Sequence, residues 1–332
     1  LATIVALHEA HAATSPNVDG RKDEHERFSV DERRGTRAQD SRPAPAKATK
    51  LERMASPVAW LFSGWNWVAN TFPRRTAAGK APMILYAYSY IPKRLDRTKK
   101  HPLIVLIHGG VHSNHMTGGP ANAATIVREL VERGYVVVAP DYRGSTGYGE
   151  AYKKALDYGG KENEDVLGAR DWMLARYSFL DPARVGLVGW SHGGMIALFN
   201  LFFHPEKYAC AYAGVPVSDL MERKKYLKSM TQTMAESAGA EAGEEEYRKR
   251  SPVTHVGKLT RPLLVHGNTS DTTVRVVEVE HLVAALQAAG KTFEHKIYDS
   301  APGGHHFNRI DTALAVQSRN EIYTFLKRYL QP

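Results

Sequence analysis

Two hydrophobic rhythms alternate along this chain. Short, almost wholly apolar runs bounded by glycine or proline are followed by longer stretches in which apolar positions return every three or four residues. Runs of the first kind read as buried strands and stretches of the second kind as helices laid against a sheet. Met83 to Ile91 alternates as a strand, and Leu103 to Ile107 follows as another. Asn122 to Arg133 reads as a helix, Tyr135 to Ala139 as a buried strand and Glu162 to Arg176 as a helix. Arg184 to Val188 and Arg261 to Gly267 are further strands, the latter closing in a glycine turn. Val276 to Ala289 and Thr312 to Leu330 are amphipathic helices on either side of a last strand, Thr292 to Tyr298. This alternation predicts a mostly parallel central sheet with helices on both faces. Between Asp219 and Lys258 the pattern changes to charged, weakly amphipathic helical stretches, Met221 to Ala238 and Glu241 to Arg250. They read either as a small helical cap or as a surface excursion.

The chemistry starts at Gly189-Trp190-Ser191-His192-Gly193. This G-x-S-x-G stretch lies between a strand and the helix-like run Gly194 to Leu201, the context a nucleophile elbow requires. The turn holds serine at a strained backbone position, and the flanking glycines remove side chains that would collide. A serine hydroxyl needs a base to take its proton and an acid to orient that base. Asp271 lies just past the strand that ends at Gly267, and His305 follows the last strand in Pro302-Gly303-Gly304-His305-His306. Both sit on loops beyond strand C-termini, where open α/β sheets place their sites. His306 competes with His305 for the base and Asp299 with Asp271 for the acid. His266 and His295, in strand-like runs, read as packed or solvent-facing. The oxyanion of a tetrahedral intermediate needs donors. The main-chain N–H of His192 supplies one, and the His108-Gly109-Gly110 turn after an early strand supplies the second.

Further segments resemble a known family. They are Lys100-His101-Pro102-Leu103 leading into His108-Gly109-Gly110, the stretch Pro140-Asp141-Tyr142-Arg143-Gly144-Ser145-Thr146-Gly147-Tyr148-Gly149, the run Asp165 to Trp172, and Asp181-Pro182-Ala183-Arg184 before the elbow. From about Met83 onward the chain resembles the catalytic domain of the prolyl oligopeptidase family of serine hydrolases. The resemblance implies an α/β-hydrolase fold with Ser191 as nucleophile, Asp271 as acid and His305 as base. It implies His192 and Gly110 as oxyanion donors, and an active-site wall from the Tyr142-Arg143 loop. The chain departs from the family at Val111, where a proline often follows the glycines, and at His192, where tyrosine commonly follows the serine. About eighty residues precede the hydrolase segment. A propeller needs more, since each blade takes roughly forty to fifty residues. The expected organisation is an N-terminal arm and aromatic segment over 1–80 and a catalytic domain over 81–332, with the cap-like insertion at about 219–258.

Composition adjusts this picture only slightly. Of 332 residues, 43% are apolar and 24% charged, ordinary globular usage. The single cysteine, Cys210, reads as a buried free thiol. No metal-ligand spacing and no G-x-G-x-x-G after a strand occurs, so neither a metal nor a nucleotide cofactor is expected. The net charge of +9 comes from scattered basic pairs such as Arg33-Arg34 and Lys224-Lys225, which argues against a nucleic-acid partner. Ser15 to about Lys50 reads as a loosely attached polar arm, and Trp60, Phe62, Trp65, Trp67 and Phe72 as an aromatic cluster packed on the body. Leu1 to Ala12 could be the remnant of a signal peptide, which would imply export; no run is long enough for stable membrane insertion. The resulting expectation is a carboxylesterase-like serine hydrolase, with Tyr142 and Trp190 as flat walls for an aromatic or medium acyl group. A peptidase cleaving short peptides is the alternative, and a non-catalytic binding protein on the same fold is the remaining reading.

Overall fold

The computed structural model describes residues 65–74, 83–116 and 120–332. The arm, Trp60, Phe62 and the leader-like start lie outside the described residues. In the compact unit from Ala48 to Pro332, eight strands form one sheet. They are β1 (Trp65–Arg74), β2 (Met83–Pro92), β3 (His101–Ile107), β4 (Val136–Asp141), β5 (Leu180–Trp190), β6 (Cys210–Gly214), β7 (Leu263–Asn268) and β8 (Glu294–Tyr298). Their order across the sheet is β1-β2-β4-β3-β5-β6-β7-β8. Strands β3 to β8 run parallel, and β2 pairs antiparallel with β4 and with β1. The aromatic segment expected before the catalytic domain thus supplies an edge strand of the sheet: Trp65 to Arg74 pairs residue by residue with Pro92 back to Met83. The boundary expected at 80/81 is not where the sheet begins.

The strands follow the two-sided burial that their composition demands. Leu103, Val105 and Ile107 of β3 enter one core cluster, while Ile104 and Leu106 enter the other. Strand β4 divides in the same way, with Val136 and Val138 on one face and Val137 and Ala139 on the other. A period of two with both faces apolar gives a continuous hydrophobic run, because each face is covered by helices. Helices α1 (Pro120–Glu132) and α9 (Ala313–Leu330) contribute to one cluster. Helices α3 (Glu162–Arg176), α4 (His192–Phe203) and α8 (Val276–Ala288) contribute to the other. Helix α2 (Glu150–Lys153) is a single short turn. Thr312 caps α9 through its hydroxyl, which accepts from Ala315 N. Glu129 of α1 accepts from the Arg319 guanidinium and from Tyr323 O–H of α9, joining the two helices on that face. This sheet and its covering helices are the α/β-hydrolase arrangement that the sequence implies.

The segment between β6 and β7 is helical, as expected, but broken into shorter pieces: α5 (Leu220–Tyr226), α6 (Ser229–Ala238), α7 (Glu244–Lys249) and a 3-10 stretch, Pro252–Lys258. Asp219 caps α5 by accepting from Glu222 N. Met230, Met234 and Tyr247 then form a third cluster with Met195 of α4 and with Val274 just past Asp271. The insertion is therefore packed onto the catalytic edge.

The Tyr142-Arg143-Gly144-Ser145 segment has a structural task. Arg143 donates from its main-chain N and Nε to one oxygen of Asp165 and from a terminal nitrogen to the other, at 2.6–3.0 Å. Asp165 is 1% exposed, so this bidentate pair ties the loop after β4 to the start of α3 out of water. Removing one partner of a buried pair strands the other charge. Arg143→Ala is expected to lower the unfolding free energy by about 3 kcal/mol in urea denaturation. Two buried histidines give a separate, pH-dependent expectation. Burial pushes His115 and His266 from 6.5 down to about 4. The unfolded chain then binds protons between those values that the folded chain does not, so stability falls as pH drops from 6.5 towards 4. His266→Asn should reduce that slope when unfolding free energy is measured across this range.

Candidate active site

Ser191 sits between β5 and α4 at φ 58° and ψ −122°, backbone values that side chains other than hydrogen rarely tolerate. The surrounding glycines show why the chain accepts this. A Cβ on Gly189 would lie 2.2 Å from the carbonyl oxygen of Gly193, and one on Gly193 would lie 2.3 Å from that of Ile107. The turn is locked by main-chain bonds: Ser191 N donates to Gly214 O, while Ser191 O accepts from Met195 N and Val217 N. Gly109 packs against Ser191, since a Cβ there would lie 3.1 Å from Ser191 Cβ. Gly110 follows at φ +83°, and a Cβ there would strike Ser113 Cβ at 2.9 Å. The His-Gly-Gly turn after β3 is thus brought directly to the serine.

Asp271 and His305 meet across the loops after β7 and β8. His305 Nδ1 lies 2.6 Å from Asp271 Oδ2, with the carboxylate fully buried and the imidazole about one-tenth exposed. The other carboxylate oxygen accepts from Thr273 N at 2.8 Å and Val274 N at 2.9 Å, so the acid is aimed by its own loop. Ser191 Oγ makes no hydrogen bond among the described residues. The competing residues lie elsewhere. His306 is exposed, and partial desolvation, then Arg309 and His305, lower its pKa. Asp299 is a turn residue that accepts from Thr269 Oγ1 and Ser300 Oγ. His266 is packed among Tyr212, Tyr298 and Ser318. His295 is exposed and stacks on Phe293.

Both expected pocket walls are corrected by the structure. Trp190 turns into the body of the sheet, donates from Nε1 to Asn308 Oδ1 at 3.1 Å and packs edge-on to Tyr212. Successive strand residues point to opposite faces, and Trp190 falls on the face covered by α1 and α9. Tyr142 is wholly buried and stacks on His108 at 4.4 Å between ring centres. Its hydroxyl, a hydrogen-bonding group that cannot be left dry and unpaired, is drawn inward to His108 O at 2.9 Å.

The structure also adds residues that sequence reasoning missed. His192 is buried, with Nε2 3.2 Å from Glu162 Oε1 and its ring 4.4 Å from that of Tyr158. Asp141 accepts from His115 N and Tyr148 O–H and lies 3.3 Å from His108 Nε2. Glu162 shows in the sequence only as a first-turn acid of a helix, a common surface feature. Arg223 of α5 pairs with Glu278 and donates to Thr273 O beside the acid. Surface cavities of about 570 and 450 Å³ lie along α9 with β8 and at the N-terminal ends of β7 and β8; neither contains Ser191, Asp271 or His305. Among the described residues no group of three or more His, Cys, Asp or Glu could hold a metal, and no helix is long and apolar enough to cross a membrane.

Comparison with known proteins follows this geometry. The model of the prolyl oligopeptidase family matches residues 122–332. Dipeptidyl aminopeptidase BIII of Pseudoxanthomonas mexicana is 28% identical over 253 residues, covering 71% of this chain and 36% of its own length. Dipeptidyl peptidase 8 of Homo sapiens is 30% identical over 223 residues, covering 64% of this chain and 24% of its own. The chain thus spans about a third or less of the length of these relatives. Two solved structures share the fold. A Mycobacterium tuberculosis puromycin-hydrolyzing peptidase has a TM-score of 0.66 at 22% identity, over 79% of this chain and 39% of that one. Pyrococcus horikoshii acylaminoacyl peptidase has 0.67 at 20%, over 82% and 44%.

The backbone strain at Ser191 is measurable. Glycine tolerates positive φ where alanine does not, although it costs more entropy on folding. Ser191→Gly is expected to exceed Ser191→Ala in unfolding free energy by about 1 kcal/mol in urea denaturation. Equal stabilities would mean that the turn carries no strain.

Proposed function

Because this chain belongs to the prolyl oligopeptidase family and is a serine hydrolase of the α/β-hydrolase fold, we propose that it is a serine peptidase that cleaves amide bonds of short peptides through an acyl-enzyme. The observation carrying this reading is the 2.6 Å Asp271–His305 pair on loops beyond the C-terminal ends of β7 and β8, at the same sheet edge as the strained Ser191 turn after β5. The ester preference expected from sequence gives way to the peptide reading: the relatives are peptidases by name. Those names describe longer proteins, so the peptide substrate is an inference for this chain.

In this mechanism Ser191 Oγ attacks the scissile carbonyl carbon while His305 Nε2 takes the hydroxyl proton. Asp271 accepts the Nδ1–H, holds the ring in the tautomer that leaves Nε2 free, and stabilises the imidazolium that forms. The carbonyl oxygen gains negative charge and is received by the main-chain N–H groups of His192 and Gly110. The tetrahedral adduct collapses, the C–N bond breaks, and His305 returns the proton to the leaving amine. Water, deprotonated by the same imidazole, then attacks the acyl-serine and releases the acid. The start of α4 places a helix N-terminus beneath the oxyanion, which adds a favourable dipole.

Ser191→Ala and His305→Ala are each expected to lower kcat by several orders of magnitude, because the two act as one unit. His306→Ala should stay within about tenfold of the parent enzyme. The substrate class is read from kcat/KM on matched p-nitrophenyl esters, aminoacyl anilides and short peptides. Peptide or anilide turnover that disappears in Ser191→Ala supports the proposal. Ester turnover with no amide cleavage on any member of the panel would return the enzyme to the esterases. Failure to label with a fluorophosphonate would leave only the binding-protein reading.

A further inference from the structure

The tyrosine common after the serine in this family is replaced here by His192, and the imidazole is committed to the protein interior. It is about 1% exposed. Three buried groups surround it: Tyr142 from the loop after β4, Tyr158 from the loop before α3, and Glu162 from the first turn of α3. His192 Nε2 and Glu162 Oε1 lie 3.2 Å apart, within ion-pair distance but outside hydrogen-bonding geometry, and neither atom has a hydrogen-bond partner among the described residues. The second oxygen of Glu162 accepts from Gly160 N. A carboxylate buried to this degree is costly unless neutralised, and burial raises its pKa against the pull of His192. Each is thus the charged-group neighbour that the other faces in the interior.

Tyr142 meets the other ring nitrogen. Its oxygen is 3.3 Å from His192 Nδ1, while its hydrogen goes to His108 O at 2.9 Å, the shortest of its contacts. Gly110 O lies 3.5 Å from both the Tyr142 hydroxyl and His192 Nδ1. One phenol thus bridges the His-Gly-Gly turn after β3 and the side chain of the residue after the nucleophile. These are the two segments whose main-chain N–H groups receive the oxyanion in the mechanism above. No secondary-structure hydrogen bond joins them: one is a loop and the other the start of a helix.

We propose that Tyr142 and Glu162 are positioning residues that clamp the His192 imidazole and so hold the two halves of the oxyanion hole in register across Ser191. This inference rests on the serine-hydrolase mechanism proposed above. Neither residue touches substrate. Their effect passes through the His192 main chain, where a displacement of a fraction of an ångström matters because donors must meet the oxygen of the transition state rather than that of the substrate.

The test uses Tyr142→Phe and Glu162→Gln in the full chain, with Ser191→Ala as the control for the mechanism itself. Active sites are counted by fluorophosphonate titration, and kcat is expressed per titrated site on the best substrate of the panel. Each substitution is expected to lower kcat about tenfold. KM should stay within about twofold, since the ground-state carbonyl makes less use of the hole. The Ki of a peptidyl trifluoromethyl ketone, whose serine adduct carries an oxyanion, should rise by the same factor as kcat falls. The double variant should be little worse than the poorer single one, because both act through one ring. A purely structural role would instead lower Tm and the titratable fraction while leaving kcat per site and Ki unchanged, and that result overturns the proposal. If Glu162→Gln does not fold, Tyr142→Phe, which removes one oxygen, decides alone. An active Ser191→Ala would refute the mechanism; an inactive one beside unaltered clamp variants refutes only the clamp.

Discussion

The catalytic edge depends on a contact between backbones. Gly193, at the start of α4, approaches the carbonyls of Ile107 and His108 so closely that no β-carbon fits, and Gly189 meets the carbonyl of Gly193 in the same way. This approach forces Ser191 into its positive-φ conformation and sets it beside the His-Gly-Gly turn. Strands β3 and β5 are neighbours in the sheet, so their C-terminal ends arrive together, and the turn that follows β5 has no room except over the end of β3. The position of Ser191 follows from sheet order and the absence of side chains at two residues.

The loops beyond the sheet lack a ladder of their own, and buried carboxylates hold them instead. Asp165 binds the Arg143 loop, Asp141 gathers His115, Tyr148 and His108, Glu278 holds Arg223 of the insertion, and Asp271 orients His305. Each such charge is expensive to bury, and each is repaid only by specific, well-aimed donors. Such pairs add little net stability but penalise any other loop arrangement strongly. Asp271, with His305 as its partner, is one member of this set.

The insertion between β6 and β7 belongs to the same economy of contacts. Its apolar residues Met230, Met234 and Tyr247 meet Met195 and Val274, while Arg223 reaches the carbonyl of Thr273. It therefore buttresses both the helix that follows Ser191 and the loop that carries Asp271.

Much of this was legible in the sequence because it is local. Period-two and period-3.6 patterns specify β2 to β5 and the helices between them to within a few residues, and the elbow is a steric statement about five consecutive residues. The chain order of serine, acid and base, each just past a strand, pointed to Ser191, Asp271 and His305 before any contact was known. Where side chains turn at strand ends could not be read this way. Trp190 directly precedes Ser191 and Tyr142 directly follows β4, yet one is drawn to Asn308 and the other to His108, partners about 118 and 34 residues away. Glu162 was likewise invisible as a partner of His192, because a first-turn acid is ordinary until another strand and helix are packed over it. The preference for His305 over His306 rested on the glycines before it, and in the fold His305 Nδ1 lies 2.6 Å from Asp271. Sequence periodicity determines which elements form and which faces they bury. Which polar groups meet inside depends on long-range packing, because burial leaves each donor and acceptor only the partners that distant segments bring to it.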